Sequence, residues 1–455
     1  MTEEIISPEL EYKPMVNNHS TTIYRKVSPQ GANSVTLSTA SSVGPTEIVI
    51  APSVFSMGRS RLNFTLNIAA QAASKATWID ANILTALARV VVYDSASNQI
   101  LSDISNFEKY ASLITPSSTS FPDYITKSCS SNATSQVIST YTATTPLEDI
   151  GKCNSLLNYT REGGTLSDAA GTNSYLSRRQ LYVSAVATAV AVSFSIPFSS
   201  MAHSFLALEK NVYSPSNLVL QLYWNATDNF AWFSDAVTTP QTGALSLTGA
   251  ITVSSIALQL ANEGNLNIVS ETIKQVMSSG ISIPIAYPTV TRQTLTGGAH
   301  SFQLQLTKGY GQRILAVISA PFNIAATVNV RNSHIRSTLT TYNTFLNNVA
   351  LRYPNFFDCT LGDDYFFANR PFIYGSSVQT IGEYQVAEWL HCDSWFGDKG
   401  LWELDQTKID GLDVGVQSST WSIQANNSGT TSFIWISIIL GQKVATFTSG
   451  GVMVQ

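Results

Sequence analysis

Residues 61–68 read Arg61-Leu62-Asn63-Phe64-Thr65-Leu66-Asn67-Ile68, a strict alternation of polar and apolar side chains. Successive side chains of an extended chain point to opposite sides, so Leu62, Phe64, Leu66 and Ile68 share one face. That is the pattern of a half-buried strand, and it recurs. Ser301-Phe302-Gln303-Leu304-Gln305-Leu306-Thr307 repeats it, and residues 186–196 alternate large (Val190, Val192, Phe194, Ile196) with small (Ala189, Ala191, Ser193, Ser195). Further strands are expected over 217–224, 251–260, 314–318, 326–330 and 433–440, rich in β-branched and aromatic residues. Within 251–260, Ser254-Ser255 displaces the alternation by one residue, as a β-bulge does. The chain reads as all-β.

Helical periodicity is confined to three short stretches. Residues 101–114 place Ile104, Phe107, Ala111 and Ile114 on one face, and Ser105 with Glu108 has the spacing of a capping box. Residues 270–277 bring Ile273, Val276 and Met277 together, and 200–208 is a third candidate. Such short helices fit excursions between strands. From 115 to 178 the pattern dissolves into Ser, Thr, Asn and Gly, so a long inter-strand loop is expected there. Pro8, Pro14, Pro29, Asn17 and Asn18 interrupt every pattern before Val35, which predicts an N-terminal arm over 1–40. Ala261-Asn262-Glu263-Gly264-Asn265 is the expected linker, dividing the rest into β domains at 41–262 and 263–455. All-β domains commonly reach 200–250 residues, so two fit. Each half pairs an alternating strand with an apolar one opened by arginine. These are Arg89-Val90-Val91-Val92-Tyr93 and Arg313-Ile314-Leu315-Ala316-Val317, which suggests duplication.

Composition narrows the function classes. Of 455 residues only 55 are charged (12%), about half the usual share, whereas 44% are hydrophobic and 104 are Ser or Thr. Disorder needs low hydrophobicity with high net charge and is excluded. A fold with so few charges is either solvated by hydroxyls and amides or largely hidden in subunit contacts. The net charge is −5, and the richest basic stretch, 331–336, holds two arginines. That argues against a specific nucleic-acid partner or an anionic membrane surface. Residues 1–10 carry Glu3, Glu4 and Glu9 without a basic leader, against a signal peptide, and 182–198 is too short and hydroxylated to span a bilayer. Synthesis in a reducing compartment is expected. Cys129, Cys153, Cys359 and Cys392 have neither metal spacing nor disulfide-framework density and are expected as free thiols, with Cys129 and Cys153 the one pair in a single loop-like stretch. The N-x-[ST] triplets beginning at Asn18, Asn63, Asn132, Asn158, Asn225 and Asn426 are what this Ser and Thr content produces by chance.

Chemistry-bearing clusters are sparse. Gly362-Asp363-Asp364 has the letters of a polymerase metal site, but a turn explains it better. His391-Cys392-Asp393 places its letters on adjacent residues, which point to opposite faces of a strand and so form no dyad. Glu383 and Glu388 near Trp389, Trp395 and Trp402 have the ingredients of a carbohydrate site, against a plainer reading as core and interface aromatics. His19, His203, His300, His334 and His391 lie far apart, and phosphate-loop and G-x-S-x-G motifs are absent. No catalytic, cofactor-binding or metal residue is assigned.

Several stretches resemble the double jelly-roll major capsid proteins of the adenovirus-hexon lineage, most of all those of polinton-like viruses and virophages. They are 45–68 (PTEIVIAPSVFSMGRSRLNFTLNI), 197–213 (PFSSMAHSFLALEKNVY), 308–322 (KGYGQRILAVISAPF) and 342–365 with its Asp358-Cys359-Thr360 and Gly362-Asp363-Asp364 turn. They run in order from about residue 45 to the C-terminus. The resemblance implies two consecutive eight-stranded jelly-roll barrels and a non-enzymatic major capsid protein. It further implies homotrimeric, pseudo-hexameric capsomers tiling an icosahedral shell. Neighbouring capsomers, penton and minor capsid proteins would be partners, with no membrane insertion. The protein would reside in the virion after synthesis inside the host cell, without secretion. Two readings compete: a carbohydrate-active or lectin-like β-sandwich, and a minor capsid or spike protein.

Overall fold

The computed structural model describes residues 19–70, 76–80, 83–108, 110–111, 180–184, 189–201, 203–234, 249–303, 310–319, 346–353, 359–361, 412–413, 422–427 and 433–455. The first half forms β1 (Thr22–Val27), β2 (Ser34–Thr36), β3 (Val43–Ile50), β4 (Val54–Ile68), β5 (Ala76–Asp80), β6 (Leu87–Asp94) and β7 (Ile100–Ser105). It continues with β8 (Gln180–Ser184), β9 (Val190–Pro197), β10 (Val212–Tyr213), β11 (Leu218–Trp224), β12 (Ala231–Ser234) and β13 (Ile251–Glu263). The second half forms β14 (Ile281–Leu295), β15 (Gly298–Gln303), β16 (Tyr310–Ser319), β17 (Leu346–Tyr353) and β18 (Cys359–Leu361). After these come β19 (Leu412–Asp413), β20 (Ser422–Asn427), β21 (Phe433–Thr448) and β22 (Gly451–Val454).

The pairing defines the topology. One sheet runs β1-β13-β4-β10, with β2 beside β13 and β9 beside β4, and its partner runs β3-β11-β6-β7. Take β1 with β2 as the first strand and β9 with β10 as the sixth. The two sheets then have the order 1-8-3-6 and 2-7-4-5. The second half repeats that order as β14-β21-β16-β19 and β15-β20-β17-β18. Two four-stranded sheets interleaved in this way are a jelly roll, a pair of Greek keys closed over one core. Among the described residues the chain carries two, plus a small sheet β12-β5-β8 beside the first and β22 beside β21.

The alternation at 61–68 does what the pleat requires. Leu62, Phe64, Leu66 and Ile68 are at most 2% exposed. Phe64 reaches across the roll to Trp224 of β11 in the facing sheet, with rings edge-on at 5.2 Å, and it also meets Phe194 of β9 at 5.4 Å. The buried Trp224 indole N–H donates to Thr46 Oγ1 at 3.0 Å, so its polar edge is satisfied. On the opposite face the polar residues pair across strands: Arg61 Nε with Ser195 Oγ at 3.0 Å, Thr65 with Ser193 at 3.0 Å, and Asn67 Nδ2 with Ser254 Oγ at 2.6 Å. Hydroxyls and amides do there what charges do on most protein surfaces. The expected bulge is present: Ser255 has φ 53°, and the β13–β4 register slips between Ser254 and Ala257.

Five expectations are corrected. Residues 22–27 and 34–36, assigned to the arm, are the first strand of the first roll. Pro29 and Gly31 break it in two, but both pieces still pair with β13. Residues 261–263, assigned to the linker, end β13, and the connection is the helix Leu266–Ser278, capped by Asn265, whose side chain accepts from the Asn267 N–H at 3.0 Å. That helix starts four residues before the stretch expected at 270–277. Residues 101–105, read as helical, are β7, because antiparallel pairing with β6 overrides the 3.6-residue period. The strand ends at Asn106, with φ 47°. Residues 200–208 hold no α-helix but the 3-10 turns Phe198–Ser200 and Phe205–Ala207. The two arginine-led strands are also not counterparts, since β6 is the fourth strand of its roll and β16 the third. The repeat lies in the topology. Residues 1–18, 115–178 and 326–330 lie outside the described residues.

Trp224→Ala should cost about 3–5 kcal/mol by leaving a cavity between the two sheets. Trp224→Phe should cost less, about 1–3 kcal/mol, through the unpaired Thr46 hydroxyl. Urea unfolding followed by circular dichroism checks both, and an Ala variant as stable as the parent would contradict the packing described.

Candidate assembly surfaces and the junction between the rolls

The described strands bring none of the suspected chemistry together. Residues Gly362, Asp363, Asp364, Glu383, Glu388, Trp389, His391, Cys392, Asp393, Trp395 and Trp402 lie outside the described residues, as do Cys129, Cys153 and His334. Cys359 opens β18, His19 precedes β1, His203 sits between the two 3-10 turns, and His300 lies in β15. Among the described residues no group of three or more His, Cys, Asp or Glu is placed to hold a metal, and no helix is long and apolar enough to cross a membrane.

The structure instead singles out two carboxylates. Asp94 ends β6 and is fully buried. It accepts hydrogen bonds from the Ser97 N–H at 2.9 Å, Ser97 Oγ at 2.6 Å and Ser216 Oγ. A fourth comes from the second roll, the Val452 N–H of β22 at 3.3 Å, and Ser97 Oγ also donates to the Val452 carbonyl at 2.7 Å. Gly451 makes this approach possible. Its φ is 116°, and a Cβ there would lie 2.9 Å from Asp94 Oδ2. Burial raises the Asp94 pKa, but the hydrogen bonds from Ser216, Ser97 and Val452 outweigh it and hold the group below the usual carboxylate range. Among the described residues no cation takes part.

Glu263, at the end of β13, is the second hub. It accepts from the Thr21 N–H at 2.8 Å, Ser20 Oγ, Asn211 Nδ2 at 2.7 Å and the Asn265 N–H at 2.8 Å. One carboxylate thus ties the N-terminal segment, the residues before β10 and the start of the linking helix. Here too burial raises the pKa, and the donors, Ser20 first, more than reverse it. Sequence reasoning missed both groups. Asp94 closes an apolar run and Glu263 sits in an apparent linker, and neither position carries a spacing signal.

A wider contact supports the Asp94 junction. β14 lies against β7 and the turn Phe205–Ala207 of the first roll, so Ile285, Ala286 and Tyr287 are buried on both of its faces. Arg89 pairs with Asp103 at 2.6 Å and stacks on Tyr223, with Cζ 5.6 Å from the ring centre. Lys443 Nζ sits 3.8 Å over the Tyr287 ring, and burial lowers its pKa. Outside these contacts, Ile23 and Tyr24 on β1 and Leu266 and Met277 on the linking helix remain exposed apolar side chains.

No family model matches the sequence, and no curated protein matches it either. Solved structures do match in fold. PBCV-1 VP54, fitted into a cryo-EM reconstruction of the virophage Sputnik, superposes with a TM-score of 0.50 at 10% identity, over 97% of this chain and 98% of that one. The Faustovirus major capsid protein gives a TM-score of 0.50 at 11% identity, over 96% of this chain and 93% of that one. At such identities the likeness is one of fold, and it extends over nearly the whole length of each chain. The fold is the double jelly roll.

Both hub carboxylates bind protons less readily in the folded chain than in the unfolded one. Their stabilisation is therefore complete above the unfolded carboxylate pKa, about 4, and is lost as pH falls through the lower folded values. Urea midpoints should be flat from about pH 8 to 5 and fall below about pH 4. Asp94→Asn should lower stability at pH 7 by about 2–3 kcal/mol and make the acid fall shallower. An unchanged acid slope in that variant would contradict the assignment.

Proposed function

We propose that this chain is a major capsid protein, a structural subunit of a virus shell and not an enzyme. One observation carries the reading: among the described residues two successive jelly rolls have the same strand order, and the fold is similar to that of the Faustovirus major capsid protein over 96% of this chain and 93% of that one. A fold made of two equivalent rolls suits a threefold assembly. Three copies present six similar barrels, and so a near-hexagonal tile for an icosahedral lattice. The sparse charge supports the same reading, since contacts between such surfaces rest on apolar burial and neutral hydrogen bonds. Residues 1–18 would be an arm engaging neighbouring capsomers, and residues 115–178 a loop on the outer face ordered against adjacent subunits. The first roll would end with β13 at Glu263, and the second would begin with β14 at Ile281, after the linking helix. Penton and minor capsid proteins would be further partners, and the mature protein would reside in the virion after synthesis inside the host cell.

Light scattering on the purified chain after size exclusion tests this. The expected species has three times the 49.2 kDa chain mass. It should survive molar NaCl, because apolar burial at about 25 cal/mol per Å² is not screened by salt. A monomer at all concentrations, or a trimer dissolved by moderate salt at neutral pH, would contradict the proposal.

A further inference from the structure

We propose that the outer edge of β1 is a docking strand for the acidic N-terminal residues 3–12 of a second copy of this chain. The inference rests on the self-assembling reading above and adds to it a named contact. Among the described residues β1 pairs on one side only, with β13, so its other edge presents unpaired N–H and C=O groups. Residues 22–26 are all exposed, Ile23 at 56% and Tyr24 at 53%. An open, apolar edge of this kind recruits a further strand by main-chain hydrogen bonding.

Charge selects the occupant. Arg25 and Lys26 stand side by side on β1, exposed and without an ion pair among the described residues, in a chain only 12% charged. Glu3, Glu4, Glu9 and Glu11 put four of the 30 acidic residues into the first twelve, with no Lys or Arg before Lys13. Glu9-Leu10-Glu11-Tyr12 alternates as a strand does; laid beside β1, Glu9 and Glu11 share a face with one cation and its apolar neighbour, Arg25 with Ile23 or Lys26 with Tyr24, and Leu10 and Tyr12 share the other face.

The way the chain enters β1 favours a neighbour's segment over its own. The Gly264 N–H donates to the Thr21 carbonyl at 2.6 Å, and Asn265 Nδ2 donates to the His19 carbonyl at 2.9 Å. Residues 19–21 therefore run on past the end of β13 alongside 263–265, away from the outer edge of β1. A return in cis needs a sharp reversal at Asn17-Asn18. An extended segment from residue 3 to 18 spans up to about 50 Å and reaches an adjacent subunit without one.

Hydrogen exchange of the 22–27 peptide by mass spectrometry tests the contact on the full-length chain. In the assembled protein this peptide should exchange at least tenfold more slowly than in the R25E/K26E variant. Adding E9K/E11K to that variant should restore protection, and circular dichroism should be unchanged throughout, because Arg25 and Lys26 are exposed on β1 and residues 9 and 11 precede it in the chain. Protection should disappear on dilution to monomer. Equal exchange in all variants of an assembled protein overturns this inference and leaves the shell reading standing. Protection that persists in the monomer overturns it in favour of a fold-back in cis. A parent chain that never assembles overturns both.

Discussion

A carboxylate removed from water and held, among the described residues, by neutral donors alone joins the two halves of this molecule. Asp94 belongs to the first roll by sequence and strand, yet one of its hydrogen bonds comes from Val452, three residues from the C-terminus. Stranding such a charge is costly, so the groups around it are committed to one arrangement: Ser97 and Ser216 on one side, the glycine at 451 on the other. β14 adds apolar area to the same junction, buried on both faces where most strands bury one. The two rolls therefore meet through a defined contact as well as a connecting helix, and a tile built from them inherits a fixed angle between its barrels.

The low charge of the chain has its physical account in the outer faces of the strands. Thr65 and Asn67 pair with Ser193 and Ser254, so backbone-flanking polar groups satisfy one another laterally. Neutral ladders of this kind keep a sheet face soluble without fixing a field around the particle.

How much of this was legible in the sequence depends on the range of the interaction. The strand at 61–68, the described part of the stretch at 186–196 (β9, from Val190), the strand at 217–224 and the bulge at Ser254-Ser255 follow from local alternation, and the structure bears them out. Residues 22–36 were lost to the arm because Pro29 and Gly31 hide two short strands whose only warrant is pairing with β13, more than 200 residues away. The stretch from Leu101 to Ile104 imitates a helix face, and only its partner β6 makes it a strand. The hubs were invisible for the same reason. An isolated Asp or Glu has no pattern, and its role appears only when Ser216, Val452, Ser20 or Asn211 arrives from elsewhere in the chain. The strand order that defines the rolls is likewise a long-range fact.

The central proposal is that three copies of this two-roll chain form one tile of six barrels. Cryo-electron microscopy of the purified oligomer tests it most directly. The account predicts a ring of six barrels from three copies, first and second rolls alternating, with the Asp94 to Val452 contact intact within each copy. A twofold dimer, or a ring in which the two rolls of one chain are separated, would contradict it.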